Sequence, residues 1–305
     1  DETKIYHTLP MHYNAGLLNT FLAGLMHGST IILGPKINSI NILNLCNNLI
    51  NKNINSIHIT PEIANALCKI NLSLDEKKSI QNIYKIVCTG SFLYDQIRKN
   101  FEKKFKKQLL SCYGLTELGG PISLQKWEDT FKENSVGEIL NEVKIKNIKV
   151  KGINHIFVKT PYLFSGYIVG ENKVSKPKLK NGYFDTSDIG IVKKKHLFIT
   201  GRRKDIFKKG SEIISSIELE NICKTNKNVS DCCIIIKEDL SKGSKIFFLI
   251  QFNNTDLDKN IKNLYNFLGK KLRKIEIPDR IIPVPKILKT SSGKTKVYEM
   301  EKIYL

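Results

Sequence analysis

No apolar run in these 305 residues is long enough to cross a bilayer. The longest, "STIILG" and "KIFFLIQF", fall well short of the roughly 20 residues that a spanning helix needs. Nothing resembles a signal peptide, so stable membrane insertion is not expected. Cysteine occurs, but not in an arrangement that staples a chain. Seven is an odd number, Cys232 and Cys233 are adjacent, and no two stand at CxxC spacing. That excludes a disulfide framework and a zinc site as expectations and fits a reducing cytoplasm. Acidic residues are scarce: 29 Asp and Glu against 49 Lys and Arg leave a formal charge of +20. Such a field attracts polyanions. The lysines, however, are dispersed among Asn and Ile along the whole chain, so nucleic acid is not the expected partner, whereas small anions remain well served. A Walker loop is missing too. The "GKT" at 293–295 looks like its tail, but the glycine required five positions before the Gly-Lys pair is Leu288, and only eleven residues follow Lys294. Lys294 alone reads equally as a solvated lysine of a basic tail.

The 41% hydrophobic content supports real cores, and the length suits two domains better than one. The chain opens on "DETKIYHTLPM", without Met and with the texture of a mid-domain strand; a fragment of a longer protein is expected. From residue 5 to about 125, short apolar runs ("STIIL", "SIHIT", "YKIVCTG", "QLLSCYG") alternate with amphipathic ones. This is a βαβα pattern that predicts buried strands in a parallel sheet. In "TPEIANALCKI", Thr60 caps, Pro61 takes the first helical position, and Ile63, Leu67 and Ile70 share a face. Residues 136–200 read as a smaller β-rich, partly barrel-like subdomain of short strands and turns. Beyond a boundary near 201 comes an α+β unit of about a hundred residues: a helix "SSIELENICKT" with Ser215 and Glu218 as a capping box, a hairpin pair "CCIIIKE" and "KIFFLIQF", and a helix over 256–274 carrying Ile261, Leu264, Leu268 and Leu272.

Several stretches carry chemistry. "SCYGLTELGG" (111–120) puts Thr116 and Glu117 after a strand of the parallel sheet, at the edge where open α/β folds bind ligands. Thr116 can bond a phosphate and Glu117 can hold Mg²⁺, or both only cap a turn. "CTGSFL" (88–93) ends another strand in small residues, Gly90 and Ser91, which let a planar group approach the backbone. "GYFDTSDIG" places Asp188 just after a turn, where a carboxylate can accept from both ribose hydroxyls or simply make an Asx turn. "GRRKD" (201–205) by itself reads as a solvated connector.

Taken in order, "YGLTE", "GYFDTSDIG", "GRRKDIFKKGSEIISSIELE" and "KTSSGK" resemble the adenylate-forming enzymes: acyl-CoA synthetases, adenylation domains of peptide synthetases and luciferases. "LPMHYNAG", "NSVGEI" and "TPYLFSGY" extend the resemblance over essentially the whole chain. It implies an α/β fold: the C-terminal portion of a large adenylation domain (1–200), then a small mobile α+β C-terminal domain (201–305). It implies an ATP-dependent, AMP-forming acid-thiol ligase that makes an acyl-AMP from a carboxylic acid and passes the acyl group to coenzyme A. ATP, Mg²⁺ and coenzyme A are the implied cofactors and co-substrates. By motif, Thr116 contacts phosphate, Glu117 binds Mg²⁺, Tyr113 with Gly114 lies near the adenine, and Gly90 with Ser91 lines the nucleotide pocket. Asp188 holds the ribose and Arg202 reaches ribose or phosphates. Lys204 is the hinge, Gly210 lies in a loop used in the thiol step, and Lys294 is the mobile catalytic lysine.

Departures stand beside the matches. The family commonly reads Pro-x-Phe-His-x-x-Gly where this chain reads "PMHYNAG", exchanging aromatic and histidine at His12 and Tyr13. Ser187 replaces the usual glycine before Asp188, a change expected to be harmless to that residue. The family's Ser/Thr/Gly-rich phosphate loop would lie upstream of residue 1, so the isolated chain is expected to be poorly stable or inactive and its parent active. "GSEIISSIELEN" is similar to fatty-acyl-CoA ligases and favours an aliphatic acid. Loading of a carrier-protein phosphopantetheine and a non-catalytic nucleotide-binding relative are the alternatives.

Overall fold

The computed structural model describes residues 3–35, 37, 42–127, 132, 134–150, 152–171, 173–209, 212–237, 244–290 and 294–305. The chain divides into two compact units, Asp1–Thr200 and Gly201–Leu305.

The first unit begins with β1 (Lys4–His7), a π-helical stretch (Ala15–Leu22) that runs into the short α1 (Ala23–Met26), and β2 (Thr30–Leu33). α2 (Ile42–Asn51), β3 (Ser56–Ile59), α3 (Pro61–Lys69), α4 (Leu74–Asn82), β4 (Lys85–Cys88), α5 (Asp95–Phe105) and β5 (Leu110–Leu115) follow. Strands β2-β1-β3-β4-β5 pair in parallel in that order. Three of the four runs read as buried strands sit inside this sheet. The fourth, β2, pairs with β1 alone among the described residues and is half-exposed along its length, with Ile32 packed against the core from its margin. The helices form where the sequence caps them. Thr60 accepts from the Ile63 N–H at 3.4 Å with Pro61 behind it, and Ser73 and Glu76 close a reciprocal capping box on α4. At its far end α3 is closed by Lys104, whose ammonium donates to the carbonyls of Leu67, Cys68 and Ile70 at 2.6–3.0 Å. The core beneath includes Leu45, Leu49, Ile57, Leu67, Ile80, Ile86, Phe101 and Phe105, each worth about 1.5–3 kcal/mol by burial alone.

The antiparallel part starts earlier than residue 136. β6 (Gly120–Leu124) already folds back on β5, and the sheet continues through β7 (Ser135–Ile139). β8 (Lys144–Val150), β9 (Ile153–Lys159), β12 (Leu179–Lys180), β13 (Tyr183–Lys193) and β14 (His196–Arg202) complete it, while β10 (Tyr167–Gly170) and β11 (Lys173–Ser175) pair with each other as a separate hairpin. The antiparallel strands keep a core of their own, with Ile122, Ile156, Val158 and Leu197, and join the parallel ones through β5, in the order β2-β1-β3-β4-β5-β6-β7-β14-β13-β9-β8. β5 pairs in parallel with β4 at Leu110 and Ser111 and antiparallel with β6 from Cys112 onward.

The second unit contains the hairpin β15 (Ile206–Lys209) and β16 (Glu212–Ser215), then α6 (Ser216–Lys224). Next come β17 (Val229–Lys237), β18 (Lys245–Phe252), α7 (Leu257–Gly269), β19 (Arg280–Pro283) and α8 (Val297–Tyr304). Ser215 caps α6 by accepting the Glu218 N–H at 3.3 Å. β17 and β18 are antiparallel, and β19 adds in parallel. α7 stops at Gly269, short of the expected 274, where the Lys270 and Lys271 N–H groups bond to the carbonyls of Phe267 and Leu268 and tighten the last turn; Leu272 is buried all the same, from outside the helix.

Candidate active site

Strands β4 and β5 lie side by side, with Cys88 opposite Ser111, so the segments that leave them emerge at one edge of the sheet. After β4, Gly90 adopts φ +96°, a region that a side chain resists. The Tyr13 hydroxyl donates to the Gly90 carbonyl at 3.2 Å, and its ring lies 3.4–3.6 Å from where a Cβ at Gly90 would stand. Tyr13, at the position usual for the histidine, thus roofs this turn, while His12 is exposed. Ser91 Oγ donates to Glu62 Oε1 at 3.2 Å, and the second Glu62 oxygen is buried without a partner among the described residues. Glu62 was not singled out in the sequence. Its only signal was its place in the first turn of a capped helix that follows a strand of the same sheet.

After β5, Thr116–Leu118 form one turn of 3₁₀ helix, ended by Gly119 in the left-handed region. Thr116 is exposed and Glu117 half-buried. Glu117 Oε1 accepts from the Tyr167 hydroxyl of β10 at 3.0 Å, which, after desolvation, helps to raise the phenol pKa. Within β5, Gly114 packs so closely on β6 that a Cβ would stand 2.1 Å from the Gly120 carbonyl oxygen, which excludes any side chain there.

Asp188 sits within β13, at an irregularity where the register with β9 shifts between Asp185 and Ile189. Asp185 Oδ1 accepts the Ser187 N–H at 2.8 Å, and Ser187 takes φ +60°. The Asx turn therefore belongs to Asp185, and Ser187 occupies the conformation that glycine would adopt without strain. The kink turns Asp188 inward, where it is 2% exposed. Its N–H donates to Thr186 Oγ1 at 3.1 Å, and its carboxylate accepts from the Tyr113 hydroxyl. Tyr113 and Asp188, 75 residues apart, are thus directly bonded. Gly90, Ser91, Thr116 and Glu117 thus follow the ends of two adjacent strands of the first unit's sheet, and Asp188 is joined to them through Tyr113 of β5.

The remaining predicted residues belong to the second unit. Arg202 ends β14 and is half-buried; Lys204 is exposed in the 3₁₀ turn Arg203–Asp205. Gly210 lies outside the described residues. Lys294 is exposed at the closing end of a short loop. Thr290 N–H donates to the Lys294 carbonyl at 2.8 Å, Lys294 N–H donates to Thr290 Oγ1 at 3.1 Å, and Lys289 bridges to Thr295. Among the described residues no cluster of three or more His, Cys, Asp or Glu could hold a metal ion. No described helix is long and apolar enough to cross a membrane.

Comparison with known families decides what this edge belongs to. The AMP-binding enzyme family matches residues 1–168, and the AMP-binding enzyme C-terminal domain matches 218–294. The chain belongs to the AMP-binding enzyme family. Among curated relatives of these AMP-binding enzymes, a putative long chain fatty acid-CoA ligase, VraA, of Staphylococcus aureus (strain MRSA252) is 28% identical over 291 residues, covering 94% of this chain and 60% of the relative. A 2-succinylbenzoate--CoA ligase of S. aureus (strain JH9) is 26% identical over 302 residues, covering 96% and 57%. The chain thus spans about 60% of the length of the curated relatives it matches. Of solved structures, ATP-bound MatB from Rhodopseudomonas palustris superposes with a TM-score of 0.85 at 18% identity, over 99% of this chain and 60% of that one. The anthranilate CoA ligase AuaEII in complex with anthranoyl-AMP gives 0.82 at 15% identity, over 99% and 60%. The fold is that of the adenylate-forming enzymes.

Proposed function

We propose that the protein carrying this chain is an ATP-dependent, AMP-forming acid-thiol ligase. The observation that carries the reading is the buried Asp188 held by the half-buried Tyr113, three residues before Thr116 on the strand that leads to Glu117, in a chain of this family. A carboxylate substrate attacks the α-phosphorus of ATP, forming the acyl-AMP bond and expelling pyrophosphate. A thiol then attacks the acyl carbon and AMP leaves. Such chemistry rests on positioning and on donors aimed at developing charge rather than on a protein nucleophile.

Each residue's role follows from its chemistry. Asp188, buried and prepared by one donor, accepts from the ribose hydroxyls, and Tyr113 orients it. Gly90, Ser91 and Gly114 line the pocket of the flat base. Thr116 donates to phosphate oxygens. The residues fit a hard cation modestly: Glu117 is one half-buried carboxylate with one oxygen taken by Tyr167, so a bound Mg²⁺ would complete its shell with phosphate oxygens and water. Mg²⁺ there would offset phosphate charge. Arg202 serves the ribose or phosphates, Lys204 is the pivot, Gly210 serves the thiol step, and Lys294 supplies the cation for the first step. These roles make the second unit a mobile C-terminal domain.

The acid is proposed to be aliphatic and the thiol coenzyme A, supported by the "EIISSIELE" segment and the name of the VraA relative. A cytoplasmic site of action accords with those substrates. The test is AMP release by the full-length protein with a panel of fatty and aryl acids, with coenzyme A or a phosphopantetheinylated carrier protein as acceptor. Fatty acid and coenzyme A together should suffice. Turnover only with a carrier protein would replace the acceptor, and bound ATP without AMP release on any acid would replace the enzyme by a nucleotide-binding relative.

A further inference from the structure

The loop that ends at Lys294 is fastened at its neck by a charge cluster. Lys289 is the last residue before the loop, bridged to Thr295 on the other side. Its ammonium reaches Asp231 Oδ2 on β17 at 2.5 Å. Asp231 Oδ1 is 3.1 Å from Lys224 of α6 and also accepts the Cys232 N–H at 2.9 Å. Lys224 in turn lies 3.9 Å from Glu220, one turn earlier on α6. Two carboxylates and two ammoniums therefore alternate from α6 across β17 to the loop. An exposed ion pair would contribute little. The Asp231 side chain is only 16% exposed, however, and β17 shifts register between Val229 and Asp231, at this carboxylate. The cluster is not what folds the unit. β17 is laddered to β18 along its length, and the apolar cores there include Ile234, Ile236, Phe248, Leu264 and Met300.

We propose that Asp231 is a positioning residue for Lys294: by holding Lys289 against β17, it fixes the neck of the loop and so the point from which Lys294 extends. This rests on the adenylation role given to Lys294 above. Without the Asp231 charge, Lys289 loses the carboxylate that holds it against β17 and swings outward. The Thr290–Lys294 bonds then lose the fixed end on which they close. The effect is confined to the step that Lys294 serves.

The experiment uses the full-length protein with Asp231→Asn, Lys289→Met, their double variant and Asp231→Glu, with Lys294→Ala as reference. Amide exchange over 288–296 should speed up about tenfold in Asp231→Asn and Lys289→Met, while β17 and β18 stay protected. Pyrophosphate exchange should fall about tenfold in each, no further in the double variant, because both remove one interaction. Thioester formation from supplied acyl-AMP should hold, and Asp231→Glu should recover most of the loss. Unchanged protection of 288–296 would overturn the anchor whatever the enzyme does. So would an equal fall in both half-reactions, the mark of general destabilisation. Absence of pyrophosphate exchange by the wild type would sink the enzyme reading instead, and amide exchange would still decide the anchor.

Discussion

Glu220 offers a quantitative test of the small unit's electrostatics. Its side chain is 15% exposed, with Lys224 3.9 Å away and the Ile234 N–H donating to it at 3.1 Å. Burial raises its pKa, Asp231 and Asp205 add to the rise, and Lys224 and the Ile234 N–H oppose it. The balance moves the carboxyl from an ordinary 4.5 to about 7. A raised carboxyl binds its proton more tightly in the folded unit than in the unfolded chain. Stability is therefore greatest below the unfolded value, declines as pH rises between the two, and levels off above about 7. At about 1.4 kcal/mol per pH unit, that decline is on the order of 3 kcal/mol. Asp231, held below its ordinary value by the two lysines despite burial, titrates at more acid pH, outside this window. Glu220→Gln should remove most of the slope and stabilise the unit at pH 8, since the amide still accepts from Ile234 without charge. The assay is amide exchange of the β17 and β18 peptides from pH 5 to 8.5, corrected for intrinsic rates, because a chain of two units need not unfold in one step. A flat wild-type profile, or a Gln variant that keeps the slope, would refute the reasoning.

Other consequences follow from the first unit and the hinge. Ser187→Gly relieves a left-handed serine and should stabilise the unit by about 0.5–1 kcal/mol net of the added freedom of the unfolded chain; a lower urea midpoint would count against the strained turn. Tyr113→Phe leaves a buried carboxylate one donor short and should cost about 1.5–3 kcal/mol, with weaker ATP binding by calorimetry. Equal stability and affinity would mean that the pair is incidental. Lys204→Pro in the full-length protein should spare acyl-AMP formation and impair the thiol step; equal loss of both would argue against a pivot at that position.

Much of the architecture was written in local patterns. The parallel strands announced themselves as apolar runs between capped helices, and the Thr60-Pro61 and Ser215 signals start helices where the structure has them. Patterns failed where pairing partners decide. Nothing local marks "TIIL" as a half-exposed strand, since its burial depends on how many neighbours it has. The continuity of the sheet through β5 depends on one strand pairing in two senses, which no periodicity encodes. Leu272 kept the helical spacing of α7 although the helix had ended at Gly269. Within the site, Gly90, Ser91, Thr116 and Glu117 were visible because they close strands of one sheet. The bond from Tyr113 to Asp188, the contact of Tyr13 with Gly90 and the pairing of Ser91 with Glu62 join residues 29 to 77 positions apart, beyond any motif. Ser187 was expected to leave Asp188 undisturbed; what the letter alone does not show is the left-handed backbone angle that the serine must adopt.

The central claim, two half-reactions of which only the first depends on Lys294, is tested most directly by pyrophosphate exchange of the full-length protein and its Lys294→Ala variant on the acid it prefers. The account predicts robust exchange by the wild type and its loss in the variant, with thioester formation from supplied acyl-AMP retained. Equal exchange by the two proteins would contradict it.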